Sequence, residues 1–235
     1  GSLLSYAGAK DPATGKTWGG VVHNFAALRV SNAQGVWDKS ANLSLGVITG
    51  KNVASNTRTQ LRLSTGRDVW RSDKQRVYAG AALQWQTHSK DLSEYSWGHG
   101  GYYSPKSSTT FSIPVEWTGR AQAWTWRLQA SVSLSNTASS RADLYPRATE
   151  FPQAIPAAQQ RGFYRSNGGS GTGWAFKAAV ERQLSRNLAV GAQLGIDRSE
   201  DYAPNQLQVY VRYALDPVRR PLENQPRPVT PYSEF

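Results

Sequence analysis

The chain has three imidazoles, His23, His88 and His99, and no cysteine. His99 with Asp91 and Glu94 nearby, in a stretch rich in glycine and aromatics, is the only candidate cluster. An Asp/His pair on a loop could act as a general base on the rim of a scaffold. The plainer reading is a loop histidine set among glycines for packing or hydrogen bonding. No G-x-S-x-G elbow and no metal-spaced histidine pair accompanies it, so no catalytic residue, metal ligand or cofactor is assigned. Gly15, Lys16 and Thr17 mimic the end of a phosphate-binding loop. Such a loop needs glycine five positions before its Gly-Lys, and that position is Lys10. The segment therefore reads as an ordinary loop.

Composition narrows the classes further. The 235 residues carry 27 Lys and Arg against 16 Asp and Glu, a net charge of +11. That charge would suit nucleic acid, anionic lipid or lipopolysaccharide. The basic residues are scattered, with Arg219 and Arg220 the only adjacent pair, and no RNA-binding motif is present. Nucleic acid is not an expected partner. No apolar run reaches the length of a transmembrane helix, which leaves strands that alternate across a membrane untouched. The sequence also lacks methionine, so it is expected to be a processed product or an excised piece.

The elements that would position any such chemistry are strands. Alternation marks nine candidates, near 19–31, 39–49, 58–70, 76–88, 107–118, 123–136, 173–184, 187–198 and 205–215. Side chains on a strand point to opposite faces with period two. Phe111, Ile113, Val115 and Trp117 thus oppose Ser112, Pro114 and Glu116. Leu207, Val209, Val211 and Tyr213 likewise oppose Gln206, Gln208, Tyr210 and Arg212. The first three strands alternate less cleanly, and 67–70 is ambiguous. Strands of roughly 9–11 residues match a tilted membrane-spanning strand better than the usual soluble strand of about 5–6. Trp85, Trp117 and Trp124 fall at the ends of aliphatic faces, as interfacial girdle residues do.

The connections follow the same logic. Short turns are expected at 32–39, 71–75, 119–122 and 185–186, and longer links at 50–57, 89–106, 136–172 and 199–204. Strict alternation of short and long links is the habit of outer-membrane barrels, with short periplasmic turns and longer external loops. Aromatics and glycines in 89–106 suggest a packed loop, and 154–160 suggests a helical turn. Residues 1–216 are expected to form the barrel portion. Residues 217–235, with five prolines, read as an extended periplasmic tail. A soluble all-β sandwich is the alternative.

Two stretches carry a resemblance. The first runs Ser2, Leu3, Leu4, Ser5, Tyr6, Ala7, Gly8 and continues from Asp11 through Gly15, Lys16, Thr17, Trp18, Gly19 and Gly20 to Val22. The second is Gly98, His99, Gly100, Gly101, Tyr102, Tyr103, Ser104, Pro105 and Lys106, followed by Phe111 through Arg120. Both resemble the C-terminal region of the BcsC family of bacterial cellulose synthase proteins. The resemblance implies an all-β, antiparallel, up-and-down transmembrane barrel in the outer membrane of a Gram-negative bacterium. It implies export of cellulose or a related β-glucan, led from the inner-membrane synthase by periplasmic tetratricopeptide repeats that this sequence lacks. The family barrel has roughly sixteen strands, so nine are expected to be its C-terminal part, with upstream strands cut away, or else a divergent short form.

A conduit for a neutral, stiff glucan wants side chains that exchange hydrogen bonds while the chain slides. By parity the lumen-facing candidates are Tyr78, Gln84, Gln86, Glu116, Arg127, Gln129, Lys177, Glu181, Gln193, Gln208, Tyr210 and Arg212. Any one of them could instead only stiffen the wall. Tyr95, Trp97, His99, Tyr102 and Tyr103 are candidates for an external gate or exit platform. The competing functional class is an outer-membrane barrel enzyme using Asp91 and His99, and a third is a surface adhesin.

Overall fold

The computed structural model of the chain describes residues 2–3, 9–10, 15–32, 35–147, 162–166, 168–199, 203–215, 226 and 228. The expected turn at 154–160, nearly all of the tail 217–235 and much of the first family stretch lie outside the described residues. Thirteen strands occur among the described residues: β1 (Ser2–Leu3), β2 (Ala9–Lys10), β3 (Thr17–Asn32), β4 (Asp38–Lys51), β5 (Val53–Arg71), β6 (Gln75–His88), β7 (Ser107–Ala121), β8 (Trp124–Ala138), β9 (Ala142–Asp143), β10 (Phe163–Tyr164), β11 (Gly168–Gln183), β12 (Leu188–Arg198) and β13 (Asn205–Tyr213). Nine are long, and they form one antiparallel up-and-down sheet in the order β3-β4-β5-β6-β7-β8-β11-β12-β13. β1 and β2 lie along β3, and β9 pairs with β10 outside the sheet. Among the described residues no ladder joins β13 to the opposite edge.

The nine long strands coincide with the nine alternating segments, with two corrections. The link expected to be long at 50–57 is a tight turn in which Asn52 alone separates β4 from β5. Asn52 takes a φ of 55°, a left-handed conformation that asparagine tolerates, and its Nδ2 donates to the Thr17 carbonyl 2.7 Å away. The polar run around Asn56 looks like a loop, yet it is strand whose polar side chains are held by a neighbouring loop. Strict alternation of short and long links therefore breaks here. The second correction is that 168–172, expected in a loop, opens β11, with Gly168 opposite Ala138.

Bulges explain the weaker alternation of the early strands. The register shifts between Gly19 and Val22, between Ile48 and Gly50, and between Asp68 and Trp70. In the last of these Asp68 pairs with Tyr78 and Trp70 with Val77. The extra residue, Val69, turns Trp70 onto the apolar face.

Burial is inverted relative to a soluble sheet. The apolar faces are open: Val132 is 57% exposed, Leu134 60% and Val209 76%. The opposite, polar face holds the half-buried and buried positions. Rings lie flat across glycines of the next strand: His23 over Gly46, Tyr78 over Gly66 and Tyr210 over Gly191 on the polar face, and Trp126 over Gly119 on the apolar one. A Cβ at any of these glycines would overlap the ring. Each pair fills the wall without a protruding side chain. Replacing Gly191 by Val is expected to lift Tyr210 and destabilise the sheet by about 1–3 kcal/mol. Denaturant midpoints in detergent would measure it, and adding Tyr210→Ala should recover part of the loss.

Candidate functional site

The register places the polar candidates together. Tyr78, Glu116, Gln129 and Lys177 stand opposite one another in a single row across β6, β7, β8 and β11. Arg127 opposes Ala179, Gln193 opposes Gln208, and Glu181 and Tyr210 flank Gly191. Gln84 and Gln86 oppose Thr110 and Ser108, and Arg212 lies two residues beyond Tyr210. All twelve share one face. Gln86, Glu181, Gln193 and Tyr210 are buried on it, while the other eight are partly open. A recess of about 570 Å³ is lined by Arg62, Arg76, Tyr78, Glu116, Gln129 and Lys177 among others.

Three carboxylates on this face are bound to arginines. Glu116 Oε2 accepts from Arg127 Nε at 2.8 Å, Arg127 Nη2 at 2.6 Å and Gln129 Nε2 at 2.9 Å. Glu181 accepts from both Arg212 and the Tyr210 hydroxyl, the latter at 3.1 Å. Asp68 pairs with Arg76 and, at 3.3 Å, with Arg71. The Arg58 Nη2 donates to Gln60 at 3.0 Å and Gln86 at 2.9 Å. Sequence parity missed Arg58, Gln60, Asp68 and Arg76 because they belong to bulged strands or their neighbours. Alternation of Arg58, Gln60 and Arg62 with Leu61 and Leu63 was the available signal.

The loop 89–106 caps the same face. Asn56, buried at the end of β5, is its hub: Nδ2 donates to the Lys90 carbonyl and the Tyr102 hydroxyl, and Oδ1 accepts from Ser89 Oγ and Lys90 N. Leu92 and Tyr102 pack with Val21, Ile48, Val53 and Ala54. Burial raises the Tyr102 hydroxyl to a pKa of about 12, against a smaller opposing effect of the Asn56 hydrogen bond. A second loop segment braces the first. Ser96 Oγ donates to the Leu144 carbonyl, the Tyr164 hydroxyl donates to Ser96, and His99 Nε2 sits 2.8 Å from the Asp143 carbonyl. Of the five loop candidates, Trp97, His99 and Tyr102 are buried, and Tyr95 and Tyr103 are exposed.

The Asp91–His99 pair is not assembled. Asp91 accepts from its own neighbour Ser93, from N at 3.3 Å and Oγ at 2.6 Å, and His99 turns to Asp143. His99 is 0% exposed, so solvent and substrate do not reach it. Burial pushes its pKa below 6.5, outweighing the Asp143 carbonyl and nearby carboxylates.

Residues 1–216 match the family described as Cellulose synthase operon protein C C-terminus. The chain belongs to this family. It is 37% identical to Cellulose synthase operon protein C of Escherichia coli K12 over 243 residues, covering 100% of the chain and 20% of that protein. It is 29% identical to Cellulose synthase 2 operon protein C of Komagataeibacter xylinus over 216 residues, covering 92% of the chain and 16% of that protein. The chain thus spans about a fifth or less of the length of these relatives. A solved bacterial polysaccharide outer membrane secretin aligns with 82% of the chain and 55% of its own, at 15% identity and a TM-score of 0.44. The stretch 98–106 that carries the family resemblance is the one that builds the cap. Gly98 and Gly101 take φ of 90° and 62°, and a side chain on Gly100 would overlap the Tyr102 ring.

Two outcomes follow from these contacts. Arg212→Ala strips the partner from a carboxylate that is 4% exposed and is expected to cost about 3 kcal/mol. Arg127→Ala, at a pair whose arginine is 41% exposed, is expected to cost about 1 kcal/mol or less. Unfolding midpoints of the two variants test that order. The loop should also respond to acid. Because His99 is held neutral in the fold, its contribution is complete above 6.5 and is lost as pH falls through its depressed folded value. Amide exchange across 89–106 should accelerate on acidification below 6.5, and His99→Gln should flatten that response.

Proposed function

We propose that this sheet is the wall of an outer-membrane β-barrel through which cellulose, a neutral β-glucan, leaves the cell as it is synthesised. The inverted burial carries this reading. An apolar face this open needs hydrocarbon beside it, and a half-buried polar face needs water or a polar guest. The tryptophans fit the same picture. Trp85 and the Val77–Trp117 row lie eight residues apart along β6, about 26 Å at 3.3 Å per residue, close to the height of an outer-membrane apolar band. Trp174 and the Arg182–Trp124 row are again eight residues apart along β11.

On β11, Trp85 and Trp117 project by register to Ser170 and Ala178, so the second pair of levels is offset from the first by four residues at both ends. Strands spaced about 4.8 Å and tilted about 40° shift by roughly one residue per strand, which accounts for the offset between Trp85 and Trp174, three strands apart, while Trp117 and Trp124 on adjacent strands exceed it. Both open edges must be paired in lipid, so further strands complete the barrel. The family name supports cellulose as the cargo, and the periplasmic repeats that the family resemblance implies would deliver it.

In this reading Gln84, Gln129, Lys177 and Gln208 offer exchangeable hydrogen bonds to the passing glucan. The buried Glu181, Tyr210, Gln86 and Gln193 hold the wall. Ion pairs to Glu116 and Glu181 neutralise Arg127 and Arg212 on this face. Tyr95 and Tyr103 form the exit platform on a cap that packs inward. The protein contributes a path and no covalent chemistry.

The decisive experiment compares faces in the native-length protein. Gln129→Trp and Lys177→Trp should reduce cellulose at the cell surface, while Val132→Trp on the other face should leave it unchanged at equal outer-membrane levels. Normal secretion by both polar-face variants would sink the reading.

A further inference from the structure

A cavity of about 990 Å³ opens on the apolar face beside the long connections. Its apolar end is formed by Phe111, Leu134 and Trp174. Phe111, Leu134 and Thr172 make one lateral row, and Thr109, Asn136 and Ser170 make the next row towards the strand ends. Polarity thus changes within two residues along each strand. Small side chains at Ser170, Gly171 and Thr172 hollow the space between Leu134 and Trp174. Arg198, the register partner of Trp174, stands at the edge. Its Nη1 donates to the Asp197 and Pro204 carbonyls and its Nη2 to Asn205 Oδ1. An arginine has five N–H donors. The three hydrogen bonds fix the guanidinium and leave two donors for an anion.

Resting on the barrel reading above, we propose that this groove is a site for one lipid A moiety of lipopolysaccharide. An acyl chain lies along Phe111, Leu134 and Trp174. The sugar hydroxyls and N-acyl amides meet Thr109, Asn136 and Ser170, and a phosphate meets Arg198. The side of the membrane decides the lipid. Long links lie on the external side of such barrels, and the groove is at that end. Neutral polar side chains on the rim fit a glycolipid headgroup better than a glycerol phosphodiester.

The test uses the native-length protein extracted from outer membranes and native mass spectrometry with purified lipid A as the probe. One lipid A should remain bound to the wild type. Arg198→Gln should weaken retention about fivefold, the expected effect of losing one charge-assisted contact. Thr172→Trp should empty the groove, with the denaturant midpoint reporting that the fold persists. Ser170→Leu serves the same purpose if that variant does not fold. Lipid A retained equally by all variants, or displaced equally well by phosphatidylglycerol, would overturn the proposal. Failure of the barrel reading looks different: the protein would not partition with outer membranes at all.

Discussion

Everything in this sheet depends on one constraint: its backbone hydrogen bonds must be satisfied between strands while its apolar face looks outward. A soluble sheet hides such a face against a second layer. Here the nine long strands form a single layer, and Leu, Val, Ile and Trp side chains line the open side. In the proposed barrel, hydrocarbon is the medium that would lie against that side. The ladders then do the work that a hydrophobic core does elsewhere, which accounts for strands as long as the 19 residues of β5.

The polar face answers a second demand, that a wall be both stiff and smooth. Rings folded over Gly46, Gly66 and Gly191 occupy the space a side chain would have filled, so the aromatic surface stays close to the backbone. Glu116 and Glu181 each gather several donors, and the bonds cross two or three strands, which ties the ladders laterally. The small apolar core of the molecule sits at one end, under the cap, where Asn56 joins strand and loop. His99 is buried beside it, against Asp143 and Tyr164. Its neighbours make it a packing residue, and Asp91 turns to Ser93.

The long strands from β6 onward were legible, apart from the first five residues of β11, because alternation in them is unbroken. Phe111, Ile113 and Val115 against Ser112 and Glu116 leave no freedom of phase. The early strands were harder because each bulge reverses parity: Trp70 faces the apolar side only through the extra Val69. The Asn52 turn was hidden because Asn, Ser and Thr signal loops as well as polar strand faces, and only the loop packed against Asn56 distinguishes the two.

The sequence by itself determined the all-β class, the two-faced strands, the family and twelve of the polar residues that share a face. These follow from local period two and from residue identity. Tertiary structure decided which polar side chains are buried, which carboxylate meets which arginine, and that Asp91 and His99 part company. Those outcomes hang on register between strands and on a loop folding back across them, and neither is written in the spacing of residues along one strand.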